Sequence, residues 1–337
     1  MKEQTRRQVL QTIGTVAASS MVGYQANAIG SIPDSSTTTG LKNNIKHSVS
    51  RWCFQSIPFE ELCQACKEMG VMSIELTGPA EWEILKKYGM TSAMGWGTWP
   101  EGMGLHNFFN NPKNHDTLVA FYEKLIPQAA AFGIKNLICF PGNRNGMSDL
   151  VGMMHCATVI RRLIPTCEKY DVMLTMELLS SRDSHPDYMA DHIEWGAALC
   201  EMVNSPYFKL LYDIYHLQSM HGDHIRNVQR YGKYISHYHT GGMPGRREID
   251  DSQEIYYPAI VKAIVASGFK VYIGQEIIPT PKDKAADRIT EMVRPIYPGR
   301  LPANLADKKS HRQVAFVRLS SCSSALNQAH RSESTSQ

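Results

Sequence analysis

The 337-residue chain is 43% hydrophobic and 20% charged, the balance of an ordinary globular protein. Its formal charge of +3, from 35 Lys+Arg against 32 Asp+Glu, shows no basic field of the kind a nucleic-acid binder carries. No run of ~18 consecutive apolar residues occurs, so no transmembrane helix is expected.

At the N-terminus, Arg6-Arg7 precede a weakly apolar stretch (Leu10, Ile13, Val16, Met21) that ends in Ala26-Asn27-Ala28, the A-x-A form of a signal-peptidase site. Residues 1–28 thus read as a twin-arginine-type export signal, a route that carries folded proteins to the periplasm; without it the chain stays cytoplasmic. Residues 29–47, rich in Ser and Thr, read as a polar linker.

From there short β-like runs alternate with helical patterns eight times. Trp52-Cys53-Phe54 is the first predicted strand, followed by a helix over Pro58–Met69 with Leu62 and Cys66 on one face. Ser73–Leu76 is the second strand and Glu81–Tyr88 its helix. The third strand, near Ser92–Trp96, runs into a Gly/Trp/Asn-rich loop before the helix Asp116–Phe132. Strands Asn136–Phe140, Val172–Leu178, Phe208–Tyr212, Ile235–His239 and Val271–Gln275 follow. Helices Asp149–Tyr170, Met189–Val203, Asp223–Tyr231, Tyr256–Ser267 and Lys282–Ile296 lie between and after them. Such alternation implies parallel strands with crossover helices, and eight units in ~250 residues imply an α/β fold closed as a single (β/α)8 TIM barrel over residues 48–300. Residues 301–337, basic and serine-rich, read as a disordered tail.

Most of the eight cysteines sit inside apolar strand or helix patterns and read as small core residues. Cys63-Gln64-Ala65-Cys66 is a C-x-x-C, but it lies on a helix and has no second pair for zinc.

The chemistry of such a barrel sits at the C-terminal ends of its strands. Four successive units end in Glu177, Asp213, His239 and Glu276, about one βα unit apart. Any one carboxylate past a strand could be a helix cap. Three carboxylates and an imidazole delivered to one mouth would repel unless a cation neutralised them, and this oxygen-rich set suits one divalent ion: Mn²⁺, Mg²⁺ or Co²⁺, with Zn²⁺ also compatible. Around them His216 is placed to bind substrate oxygen, with Asp183, His185, Arg246 and His106 in flanking loops. Of Arg246 and Arg247, one is expected to face the mouth and the other solvent; His237 is expected in a buried layer beneath His239.

Residues from Trp52 to Pro279 resemble the hydroxypyruvate isomerase family of the xylose-isomerase-like TIM barrels. The resemblance is carried by Lys209-Leu210-Leu211-Tyr212-Asp213-Ile214-Tyr215-His216, by Ser236-His237-Tyr238-His239-Thr240-Gly241-Gly242 and by Gly274-Gln275-Glu276. It implies that Glu177, Asp213, His239 and Glu276 hold the metal. It also implies that Glu177 and Glu276 are the catalytic acid/base pair, and that His216, Asp183 and Arg246 contact substrate. The implied reaction is an aldose–ketose type isomerisation through a cis-enediolate, with hydroxypyruvate giving tartronate semialdehyde. The alternatives are a ketose 3-epimerase, a metal-dependent apurinic-type endonuclease and a non-catalytic sugar-binding barrel. The partner is a small hydroxy-carbonyl or sugar substrate rather than nucleic acid. The oligomeric state stays open, a homo-oligomer included.

Overall fold

A computed structural model describes residues 45–280. The export signal, most of the linker, the helix read at 282–296 and the tail from 301 lie outside the described residues. Seven strands are present among them: β1 (Lys46–Ser50), β2 (Ile74–Glu75), β3 (Asn136–Cys139), β4 (Met173–Leu178), β5 (Phe208–Asp213), β6 (Ile235–Thr240) and β7 (Tyr272–Gln275). All pair in parallel, in the order β2-β1-β7-β6-β5-β4-β3.

The remaining gap, between β2 and β3, is filled by residues 91–96. The Leu76 amide donates to Met94 O at 2.7 Å, the Gly95 amide donates to Asn136 O at 2.8 Å, and Ile138 N donates to Gly95 O at 3.0 Å. Parallel bridges at Thr77–Gly95 and Gly95–Leu137 complete the ring. The third predicted strand is therefore the eighth stave of an α/β TIM barrel, paired too sparsely to form a regular ladder.

One predicted strand is misplaced. Trp52-Cys53-Phe54 lies in a 3-10 turn (Arg51–Phe54), and the first strand is Lys46–Ser50, so the barrel begins inside the predicted linker. The reason is polar burial. The strand reads Lys-His-Ser-Val-Ser, with no apolar alternation, because both of its faces bury polar groups: Ser48 Oγ meets Ser73 Oγ at 2.8 Å on one face, and His47 Nδ1 meets Gln275 Nε2 at 3.0 Å on the other.

The helices are α1 (Phe59–Glu68), α2 (Pro79–Lys87), α3 (His115–Ala131), α4 (Asp149–Tyr170), α5 (Ile193–Val203), α6 (Ile214–Met220), α7 (His224–Tyr231) and α8 (Tyr257–Ala266). Each covers the sheet with an apolar stripe; on α4 it is Met153, Cys156, Ile160, Leu163 and Cys167, at helical spacing. On α5, Gly196 lets the helix approach β5 closely, since a Cβ there would stand 2.8 Å from Leu210 Cδ1. Cys63 and Cys66 are buried, free thiols on α1. Burial pushes Cys63 up to about 11, so it stays a protonated core residue rather than a redox or metal group. None of the described helices is long and apolar enough to cross a membrane.

Two core histidines make the fold acid-sensitive. Burial lowers His47 and His224 to about 4. His224 is satisfied as a neutral ring, Nδ1 meeting the Tyr212 hydroxyl and Nε2 meeting Gln218 Oε1, both at 2.9 Å. The unfolded chain takes up protons below about pH 6.5 that the folded rings refuse until about pH 4, so stability falls as pH falls through that window. The expected loss is about 2 kcal/mol per histidine between pH 7 and 5, at 1.36 kcal/mol per pKa unit. Urea denaturation of His224→Gln beside the parent checks this: the acid slope of the variant should be shallower by one histidine's share, and equal slopes would refute it.

Candidate active site and metal centre

The parallel register brings the strand-end residues together. Asp213 and His239 are directly paired across β5 and β6, and His239 is paired with Gly274 across β6 and β7. Glu177 sits next to last on β4, and Glu276 directly follows β7. One ligand atom from each of Glu177, Asp213, His239 and Glu276 lies within 4.8 Å of the others, and all four residues are buried. The sequence thus located all four members of the cluster.

Asp213 divides its two oxygens. Oδ1 caps α6, accepting from the His216 amide at 3.1 Å, while Oδ2 faces the mouth. The helix-cap reading of this aspartate therefore holds, and its second oxygen is left to the cluster. Glu276 is held on both oxygens: Trp52 Nε1 donates to Oε1 at 2.5 Å, and Arg246 donates to Oε2. Arg246 also donates to Asp213 Oδ2 at 2.6 Å and, through its other terminal nitrogen, to His216 Nε2 at 2.6 Å. It reaches this position from a left-handed backbone conformation (φ 55°), while the neighbouring Arg247 is exposed. The expectation that one of the pair faces inward therefore resolves on Arg246.

The electrostatics follow from burial. Burial pushes Glu177 up to about 7, opposed by His239 and reinforced by Glu276. Asp213 is also raised by burial, against the pull of Arg246. Glu276 goes the other way, because Arg246 and His239 outweigh its desolvation and hold it well below the usual carboxylate range. His239 resists burial through Glu276, Glu177 and Glu75, which hold its ring protonated well above the usual histidine range.

The donor set fits a divalent cation. With the His239 proton displaced, three ionised carboxylates and the Arg246 guanidinium leave two net negative charges in a buried space, which a dication balances. His239 adds a second argument. Its Nε2 lies 2.6 Å from Glu75 Oε1, whereas Nδ1 faces Glu276 Oε2 at 2.6 Å and Glu177 Oε1 at 3.2 Å without hydrogen-bond alignment to either. With Nε2 aimed at Glu75, a cation among these carboxylates would take the place of the proton that they otherwise hold on Nδ1.

The other predicted residues divide. His216 is buried beside the cluster, and burial together with Arg246 keeps its ring neutral. Its ring lies 5.2 Å from that of His185, which lies 6.3 Å from that of His106 at the exposed rim. His106 is thus at the mouth but tied to Asn143 Oδ1 at 3.1 Å rather than to the cluster. Asp183 is exposed, and no hydrogen bond or ion pair among the described residues links it to the site. The buried carboxylate of its loop is instead Asp191, paired with Arg144 at 3.0 Å. His237 lies in the layer beneath, as expected, 3.0 Å from Glu75 Oε1.

Two residues escaped the sequence reading. Glu75 is fully buried and touches both histidines; burial would raise it, but His237 and His239 hold it at about 2. It obeys the same rule as the others, an acid closing a short apolar strand, and that signal was sufficient to find it. Trp52 was hidden by its assignment to a strand.

Comparison with known proteins agrees with this geometry. Residues 63–295 match the family model described as xylose isomerase-like TIM barrel. Hydroxypyruvate isomerase of Escherichia coli K12 is 27% identical over 166 residues, covering 48% of this chain and 63% of that protein. A 2-oxo-tetronate isomerase of Cupriavidus necator is 31% identical over 108 residues, 32% of this chain and 41% of that one. Both alignments span less than two thirds of the relatives' own length. A solved AP endonuclease of family 2 from Brucella melitensis superposes with TM-score 0.63 at 20% identity, over 73% of this chain and 97% of that one. The strand order, the strand-end cluster and the match over residues 63–295 place this chain in the xylose isomerase-like TIM barrel family.

Proposed function

We propose that the chain is a metal-dependent isomerase of small hydroxy-carbonyl compounds, with hydroxypyruvate the leading substrate. The observation that carries this reading is the pair of glutamates, Glu177 and Glu276, both set against His239 Nδ1 in one buried cluster with Asp213. The relatives named as hydroxypyruvate and 2-oxo-tetronate isomerases support it.

A divalent ion held by Glu177, Asp213, His239 and Glu276 would supply Lewis acidity to the carbonyl and hydroxyl oxygens of a substrate, acidifying the C–H of the hydroxyl-bearing carbon. One glutamate takes that proton, leaving a cis-enediolate; the other returns a proton at the former carbonyl carbon, and the hydroxyl proton passes to the former carbonyl oxygen, so that carbonyl and hydroxyl exchange places. His216 has a defined part. Arg246 can only donate, so His216 Nε2 accepts and the ring proton sits on Nδ1, a buried donor with no partner among the described residues. It is positioned to donate to a substrate oxygen, while Arg246 offsets negative charge developing beside it.

The test is turnover by the purified full chain with hydroxypyruvate, 2-oxo-tetronate and a panel of small ketoses in deuterated water, with Mn²⁺, Mg²⁺ or Co²⁺ supplied. The expected result is metal-dependent conversion of a hydroxy-carbonyl acid with solvent deuterium appearing at the carbon that gains the proton. Inversion of a ketose at C3 instead would assign a 3-epimerase. Cleavage of abasic DNA with no isomerisation would overturn the proposal.

A further inference from the structure

We propose that Glu75 is a positioning residue for the metal centre, its carboxylate accepting the Nε2 proton of His239 and so keeping Nδ1 turned toward Glu177, Asp213 and Glu276. This rests on the metal-centre reading above and extends it to a residue on the far side of the ring.

Four observations carry it. Glu75 Oε1 accepts from His239 at 2.6 Å and from His237 at 3.0 Å, so two imidazoles converge on one oxygen. The two rings stand nearly perpendicular, 84° apart, which lets both point a nitrogen at that oxygen. The carboxylate occupies a notch made by Gly274: a Cβ there would stand 2.1 Å from Glu75 Oε1, 2.7 Å from its Cδ and 2.8 Å from His239 Cδ2. Finally, Glu75 is fully buried, and β2 terminates with Leu76 in the left-handed region at φ 57°, a conformation a branched residue rarely adopts.

A neutral histidine ligand has one lone pair and one N–H, and whichever nitrogen finds an acceptor fixes where the lone pair points. The far side of this ring is buried, and the acceptor that stands there is the Glu75 carboxylate. Glu75 supplies it as an anion, which also makes the imidazole a better donor to a cation. Gly274 is then required for space, not for backbone freedom. Glu75, His237 and His239 could also hold an ion among themselves, an alternative that the metal stoichiometry below separates.

The experiment measures Mn²⁺ affinity and stoichiometry by electron paramagnetic resonance on the full chain, for the parent, Glu75→Gln and Gly274→Ala. Glu75→Gln keeps the shape and removes the charge; Gly274→Ala keeps the charge and crowds both the carboxylate and the His239 ring. The expected result is one Mn²⁺ per chain in the parent and affinity weakened about 10- to 100-fold in each variant, with the far-ultraviolet circular dichroism unchanged. Nitrogen-15 spectra of the zinc-loaded protein give a second readout: the His239 Nε2–H signal should persist in the parent and shift upfield in Glu75→Gln as its hydrogen bond loses the anionic acceptor. Parent-like affinity in both folded variants would overturn the proposal. So would two Mn²⁺ per parent chain with one lost in Glu75→Gln, since Glu75 would then be a ligand itself. A parent that binds no Mn²⁺ would overturn the metal centre first and the proposal with it.

Discussion

Replacing Glu177 by glutamine is expected to lower isomerase turnover by about 10³-fold, within the ~10²–10⁴ that general acid–base catalysis contributes, while making the metal-free protein more stable. The two effects have one cause. Burial raises Glu177 to about 7, so folding disfavours its ionised form. An unfolded carboxyl ionises near pH 4.5; below that no cost exists, and above pH 7 the full cost is present, about 3 kcal/mol at 1.36 kcal/mol per pKa unit. A neutral amide at this position carries no such cost, so the variant should gain stability at pH 8 and gain nothing at pH 4. Glu276→Gln should lose turnover as severely without that gain. Its carboxylate is held low by Arg246 and His239, and an amide would leave Asp213 as the one carboxylate hydrogen-bonded to Arg246. Denaturant titrations at both pH values, beside turnover, separate the two glutamates; equal stability effects would contradict the assigned environments.

Arg246→Met is expected to cost the metal-free protein about 3–5 kcal/mol, the usual cost of removing one partner from a buried ion pair. The guanidinium is buried, with hydrogen bonds to Asp213, Glu276 and His216. Removing it leaves three carboxylates facing one another with only His239 among them. A dication should restore much of that loss, so the rise in melting temperature on adding Mn²⁺ should be larger for the variant than for the parent. An equal rise in both would mean that the ion does not bind among these oxygens.

The parts of the site that were legible in the sequence share one feature. Glu177 and Asp213 each follow a continuous apolar run, so an acid at the end of the run is conspicuous, and β4 and β5 emerge where the pattern places them. The first strand was illegible because β1 buries polar side chains on both of its faces, His47 on one and Ser48 and Ser50 on the other. The stave at residues 91–96 pairs through a few backbone bonds around Gly95, whose Cβ would meet Leu137 and Trp82 at 3.0 Å, so packing rather than propensity sets it. Asp183 and Asp191 show the limit most plainly. They share a loop, and with no period to say which of its acids turns inward, the sequence favoured the exposed one. Arg246 could be narrowed to one of two adjacent arginines, but its contact with Asp213 and Glu276 depends on the backbone at φ 55°.

The central claim is that Glu177, Asp213, His239 and Glu276 hold one divalent ion needed for proton transfer between adjacent carbons. The most direct test is metal content and hydroxypyruvate turnover measured on the same preparation of the full chain, before EDTA, after EDTA and after Mn²⁺ is restored. One ion per chain, with turnover that vanishes and returns with it, is the result this account predicts. Turnover that survives complete removal of the ion would contradict it.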